Sequence, residues 1–366
     1  MNIAMLISGG VDSSVALRLL HEQGHTITAF YLKIWLEDEL AYLGECPWEE
    51  DLAYVRAVCE QIKVPLKVVP MQRAYWDRVV AYTVAEVKVG RTPNPDILCN
   101  ERVKFGAFYD VILLRSSSFK EQVGAEFDKV ATGHYARVEE RDGVYHLMCA
   151  PDHIKDQTYF LSQLSQQQLA RALFPIGHLT KPEVRMLAQK FDLPNKERKD
   201  SQGICFLGKL KFRDFIKHHL GVQPGAFVEY ETGAIAGEHE GFWYYTIGQR
   251  QGMGLSGGPW YVVSKDITKN IVYISKTYHA EEKSRDHFTV TACNWITGQE
   301  PIQQDLEVKL RHGAKRYACT LTKVKHDNNA WHVQLFEQDQ GIAAGQFAAF
   351  YDGDECLGSG VIGSSS

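Results

Sequence analysis

The stretch Leu6 to Leu20, LISGGVDSSVALRLL, constrains the fold more than any other. A short apolar run, MNIAMLI, ends in a glycine pair, and residues with helical spacing follow at once. That order is a strand, a tight turn and a helix. The glycines Gly9 and Gly10 permit positive φ and close approach of the backbone. The helix start offers unpaired N–H groups and the positive end of a dipole to an anion. Ser8, Ser13 and Ser14 add hydroxyls. Asp12 fits beside a phosphate only if it helps carry Mg²⁺ or caps the helix. A Walker loop needs Gly-Lys-Ser/Thr and a dinucleotide fingerprint needs G-x-G-x-x-G; neither is present. The residues alone read as an anion-binding turn, or as a tight turn without a ligand.

The surrounding segments set the architecture. ITAFYLKIW and PLKVVPM are apolar or β-branched runs, and EEDLAYVRAVCEQIK between them has helical period, so strands and helices alternate as in a parallel sheet. TKPEVRMLAQKF starts with a capping box, Thr180 with Glu183, and Pro182 in the first turn. ARVEERDGVYHLMCA reads as a hairpin about Asp142-Gly143. Beyond about Cys205 the chain turns to short alternating segments split by glycine and turn signals, the pattern of small β domains, one of them a barrel. The expected boundaries are 1–208 for a nucleotide-binding catalytic domain, 209–283 for a central β-rich domain and 284–366 for a C-terminal β-barrel.

At 366 residues there is room for two or three domains. No apolar run approaches the roughly 18 residues of a membrane span, and no secretory pattern opens the chain. Eight scattered cysteines, without C-x-x-C, argue against a disulfide framework or a zinc knuckle and for a reducing compartment. The net charge of −5 hides an asymmetry: Thr180 to Leu220 carries ten Lys/Arg against five Asp/Glu, a local +5 that leaves −10 for the rest. The clusters KERKD and KLKFRDFIKHH, with Lys199 and Lys209, flank Cys205. They read as a solvated face or as a phosphate-facing one.

SGGVDSS resembles the PP-loop of the ATP pyrophosphatases, which grips the pyrophosphate end of ATP while AMP is transferred. RTPNPDILCNERVKFG, ATGHYA, KDQTYFL and DSQGICFLG, in this order, resemble the tRNA-specific 2-thiouridylases, and the likeness runs on through TIGQRQGMGL to GQFAAFYDGDECLGSGVI. It covers essentially the whole chain. It implies a Rossmann-like α/β fold of the adenine nucleotide alpha hydrolase type followed by the two β domains. It implies adenylation of the 2-oxygen of a tRNA wobble uridine and its replacement by sulfur from a cysteine persulfide, with release of AMP.

The resemblance also assigns residues. Leu6, Ile7, Ser8, Gly9, Gly10, Val11, Asp12, Ser13, Leu32 and Gly133 would meet ATP, with Mg²⁺ accompanying it. Cys205 would carry the persulfide, Cys99 would be the second catalytic cysteine, and Asp96 the general acid or base. Asn94, Pro95, Asp96, His134, Lys155, Asp156, Gln157, Arg311, His312 and Gln346 would contact tRNA. Relatives read R-Y-R where this chain has Arg311-His312-Gly313, which weakens the carry-over there. The expected partners are lysine, glutamate and glutamine tRNAs and a sulfur donor, a cysteine desulfurase or relay protein. A monomer is expected, in the bacterial cytoplasm or, with a transit peptide, in a plastid or mitochondrion. Two other readings stay open: a PP-loop AMP-forming ligase for a small molecule, and a non-catalytic RNA-binding protein.

Overall fold

A computed structural model describes residues 1–34, 47–113, 126–200, 212–277, 285–327, 329–339 and 341–363. Cys205 and Lys209 lie outside the described residues, as do residues 115–125 of the stretch RSSSFKEQVGAEF, which reads from sequence as a flexible insertion.

The first sheet uses β1 (Asn2–Leu6), β2 (Thr26–Lys33), β3 (Leu66–Pro70), β4 (Lys129–Ala131) and, after a hairpin of β5 (Ala136–Arg141) and β6 (Val144–Cys149), β7 (Ala172–Leu173). Its order is β3-β2-β1-β4-β7, and every pairing is parallel. The alternation along β1 explains why it is central. Ile3 and Met5 face one core with Val15, Val55 and Val184. Ala4 and Leu6 face the other, with Phe30, Phe105 and Phe108. A strand buried on both faces needs helices on both sides. On the first side lie α1 (Val11–Glu22), α2 (Pro47–Gln61) and a helix at Lys181–Lys190. The expected capping box is present there, with Pro182 in the first turn.

The second sheet contains β8 (Gly225–Glu229), β9 (Ile235–His239), β10 (Tyr261–Asp266) and β11 (Ile271–Ser275), ordered β10-β11-β8-β9 around Phe227, Val262, Val272 and Ile274. The third is a closed antiparallel barrel of six strands, β12 (Arg285–Trp295), β13 (Asp305–Lys309), β14 (Tyr317–Lys323), β15 (Ala330–Asp339), β16 (Phe347–Asp352) and β17 (Glu355–Ile362). It runs β12-β15-β14-β13-β16-β17, and β17 returns to β12. Closure removes the exposed edges an open sheet would leave.

The hairpin forms about Asp142 (φ 53°) and Gly143 (φ 79°), two consecutive positive φ values that suit a hairpin turn. Its second strand also pairs with β17, Met148 opposite Glu355 and Leu147 opposite Cys356. A segment between two strands of the first sheet is thereby joined to the barrel sheet.

Candidate active site

The chain winds outward from β1 to β2 and β3, then crosses to β4 on the other side of β1. In a parallel sheet, the carboxyl ends of the strands at such a reversal leave a crevice where ligands bind. Ile7 to Gly10 leave β1 there and Thr132 to His134 leave β4. Leu32, near the end of β2, is half-buried against the core.

The turn is shaped by its own side chains. Gly9 has φ 78°. Ser13 Oγ donates to Gly10 O at 3.0 Å and accepts from Ser8 N at 3.2 Å. Ser14 Oγ donates to Gly10 O at 3.0 Å. Asn195 Nδ2 donates to Gly9 O at 2.8 Å and Ser14 Oγ at 2.9 Å, and Arg198 donates to Gly9 O at 3.1 Å. With its carbonyls held from behind, the turn leaves the N–H groups of the first turn of α1, which have no helical acceptor, to meet an anion.

Gly133 packs directly on this turn: a Cβ there would fall 2.6 Å from Ser13 N. Asp12 Oδ1 accepts from Tyr135 Oη at 2.9 Å and from Lys181 Nζ at 2.7 Å. Lys181 also meets Asp200 at 2.7 Å, as do Lys155 at 2.8 Å and Arg185 at 2.6 Å. Burial opposes ionisation of Asp200, but hydrogen bonds from Lys155 and Lys181 prevail and hold its pKa at about 2. Residue patterns gave no sign of Lys181, Tyr135, Asn195 or Asp200 at the site. Lys181 read only as the first residue of a helix. Asp200 and Arg198 were visible as charges beside Cys205, without their partners.

His134 is buried between Phe105 and Phe174, with Thr132 Oγ1 at 2.7 Å from Nδ1. Burial, reinforced by the charge of Lys104, pushes its pKa well below the ordinary histidine value, so the ring is neutral at pH 7.

The second half of the site begins at a short helix, Pro95–Cys99. Asn94 caps it, its Oδ1 accepting from Ile97 N at 3.3 Å, and Pro95 occupies the first turn, where its missing N–H costs nothing. Asp96 is half-buried on that turn. Cys99 ends the helix, 1% exposed, and is followed by a π-helical stretch, Asn100–Ala107. Such stretches concentrate at functional sites. The thiols with a resolved shift, Cys59, Cys149, Cys293, Cys319 and Cys356, are all pushed upward by burial, which keeps them protonated and inert.

The segment Lys155 to Phe160 straps the two halves together. Lys155 reaches Asp200. Gln157 Oε1 accepts from Tyr135 N at 3.0 Å. Tyr159 bonds to the Asn94 side chain and donates to Phe347 O at 3.1 Å. Phe160 O accepts from Asn100 Nδ2 at 3.1 Å, and its ring meets that of His312 at 4.6 Å between centroids. Asp156 has a different occupation. It is 2% exposed, accepts from Ala150 N at 3.2 Å and Thr158 Oγ1 at 2.8 Å, and pairs with Lys309 of β13 at 3.0 Å. In this conformation its carboxylate holds the barrel and does not face solvent. Arg311 pairs with Asp339 at 2.6 Å while half of its side chain remains exposed. Gln346 lies beside Ala344-Gly345, where Ala344 O accepts from Thr92 N at 2.8 Å. Asn94 thus touches the strap through Tyr159, and Thr92, just before it, touches the barrel.

A parallel sheet of this order, carrying a lysine-free anion turn after β1 and a glycine pressed on it after β4, defines a PP-loop nucleotide-binding domain. The sequence matches the tRNA methyl transferase HUP domain over residues 1–209, the tRNA methyl transferase PRC-barrel domain over 213–276 and the aminomethyltransferase beta-barrel domain over 285–362. It is 44% identical over 368 residues to tRNA-specific 2-thiouridylase MnmA of Parabacteroides distasonis, covering 99% of each chain. It is 44% identical over 369 residues to MnmA 2 of Bacteroides fragilis, covering 99% of this chain and all of that one, and 42% identical over 372 residues to MnmA of Porphyromonas gingivalis, covering 99% of each. The chain belongs to the tRNA-specific 2-thiouridylase family.

Proposed function

We propose that this protein uses ATP to replace the 2-oxygen of a tRNA wobble uridine with sulfur. The observation that carries the reading is the Ser8–Ser13 turn, braced by Asn195 and Arg198 from behind and abutted by Gly133, at the switch point of a parallel sheet. That turn holds the pyrophosphate end of ATP. The uridine 2-oxygen attacks the α-phosphorus, pyrophosphate leaves, and the adenylated oxygen becomes part of a good leaving group. No lysine of the Walker kind is required, because no γ-phosphoryl group is handed on. Mg²⁺ comes with the triphosphate. Asp12 and Asp200, the two acids of this network, are already met by cations.

Sulfur arrives on Cys205 as a persulfide delivered by a donor protein. Its terminal sulfur attacks C2 and AMP departs. Cys99 thiolate then attacks Cys205 Sγ, the sulfur–sulfur bond breaks toward the base, and thiouridine forms beside a Cys99–Cys205 disulfide. An external thiol reductant resets the pair. Asp96 shuttles the proton at the pyrimidine edge. The target base is turned out of its stack to reach a site this enclosed. Asn94, Pro95 and Gln346 border its path, His312 offers a ring for stacking, and Arg311 a partly exposed guanidinium. A groove of about 450 Å³ lined by Arg185, Lys196, Arg198 and Lys199, with one acid, Glu197, gives phosphates a net basic face near the nucleotide turn.

The test separates this reading from a small-molecule ligase. Pyrophosphate release should require unmodified tRNA, and Cys205→Ser should release pyrophosphate without thiolating the tRNA. Cys99→Ser should still load a persulfide on Cys205, visible as one added sulfur by mass spectrometry. Thiolation at the normal rate by Cys205→Ser rules the relay out.

A further inference from the structure

The segment that leads into Asn94 is gripped from two sides. Gly90 has φ +78° and ends α3 (Ala81–Lys88) through a bond from its N–H to Val87 O at 3.0 Å. A Cβ on Gly90 would fall 2.7 Å from Ile267 Cγ2 and 3.4 Å from the Phe242 ring, so the turn lies flush on the central domain. Lys265, on β10, donates from one ammonium to Gly90 O and to Tyr245 O, the latter at 3.0 Å. Thr92 Oγ1 donates to Thr246 Oγ1 at 3.4 Å on the same side. On the other side the barrel accepts from Thr92 N through Ala344 O, and Gly345 packs on Arg91 and Thr92, its Cβ position 2.9 Å from Arg91 Cβ.

We infer that Lys265 is a positioning residue for the thiolation reaction: by holding Gly90 against the central domain it fixes where the Asn94–Cys99 helix presents Asp96 and Cys99 to the target base. This rests on the function proposed above. Three domains meet on Gly90–Thr92, and only Pro93 separates Thr92 from the helix cap, Asn94. A shift at Gly90 is therefore carried into the helix almost undamped, whereas the nucleotide turn, on β1 and α1, is held by Asn195, Arg198 and Gly133 and does not depend on it. The charged groups on the elements around the ammonium are paired with one another: Arg91 with Glu86, Arg213 with Glu240, Asp266 with Lys269. The ammonium is left to the two carbonyls, and burial brings its pKa down to about 8. A lysine placed this way is kept for its hydrogen bonds, since burying its charge is costly.

The experiment compares full-length wild type, Lys265→Met and Thr92→Val in steady-state thiolation of tRNA, with ATP KM, tRNA Kd and Tm measured on the same samples. Misplacement by a fraction of an ångström lowers kcat by roughly tenfold or more. The expected result is that loss in Lys265→Met and a smaller one in Thr92→Val, with ATP KM and tRNA Kd within about twofold of wild type. A folded Lys265→Met with unchanged kcat overturns the assignment. So does a fall in Tm with parallel losses in ATP KM and tRNA Kd, which would make Lys265 a general support of the fold. Absence of thiolation by the wild type would instead count against the function itself.

Discussion

Asp12 lies between Tyr135 and Lys181, and Ser13 between Ser8 and Gly10, so each has a definite task on the nucleotide turn. Ser13→Ala removes a hydroxyl that both donates to Gly10 O and accepts from Ser8 N, and it should slow tRNA-dependent pyrophosphate release by about 100-fold, the scale of a misplaced binding turn, without lowering Tm appreciably. Release near the wild-type rate would remove the turn from the reaction. At this scale the sequence was a good guide to residues fixed by backbone demands. The glycines and serines of the turn could be read because each is tied to a local conformation, whereas Gly133 and Asn94 were reached only through the family resemblance and the capping role of Asn94 was not foreseen. Lys181, Asn195 and Tyr135 could not, since their roles arise from contacts across more than a hundred residues. Asp156 was legible as part of a motif, but its burial against Lys309 was not.

Among the elements, β4 and α1 are coupled through the close approach of Gly133 to Ser13. Gly133→Ala should push α1 from the turn and weaken ATP binding by at least about tenfold, the effect of an overpacking strain of a few kcal/mol, while the central sheet and barrel stay folded. Equal ATP affinity in a folded variant would contradict the coupling. The His134 ring just after β4 supplies a pH dependence. Its pKa is depressed in the folded protein, so the unfolded chain binds more protons as pH falls through the ordinary histidine range. The stability contribution is full above that range and is lost below it. His219, His239 and His312 are shifted in the same direction. Tm should therefore fall between about pH 7.5 and about pH 5.5, and a Tm that rises over that interval would refute the assignment of these rings as neutral. The elements themselves were largely legible. Short apolar and β-branched runs gave β1, β2 and β3, and Asp142-Gly143 gave the hairpin turn. The pairing of β6 with β17 was not, because a strand's pattern states which face is buried but not which strand lies beside it.

For the whole molecule, the barrel and the first domain share a sheet and a buried ion pair, Asp156 with Lys309, whose side chains are 1% and 2% exposed. Lys309→Met leaves an uncompensated buried carboxylate and should destabilise by about 3–5 kcal/mol, whereas Asp156→Leu with Lys309→Met should recover most of that loss; equal Tm for the single and double variants would show that the pair is not coupled. The union of catalytic sheet and barrel means that Arg311, His312 and Gln346 are carried on the same scaffold as the nucleotide turn, and sequence could not foresee it from segments more than 150 residues apart. The proposed reaction requires that sulfur reach a tRNA base at the expense of ATP. Its most direct measurement is nucleoside analysis by mass spectrometry of tRNA incubated with the protein, ATP, Mg²⁺ and a persulfide donor, with AMP and pyrophosphate counted in the same reaction. The expected product is 2-thiouridine at the wobble position, with one AMP and one pyrophosphate for each sulfur incorporated. AMP formed without any thionucleoside, or thiolation that proceeds equally well without ATP, would contradict it.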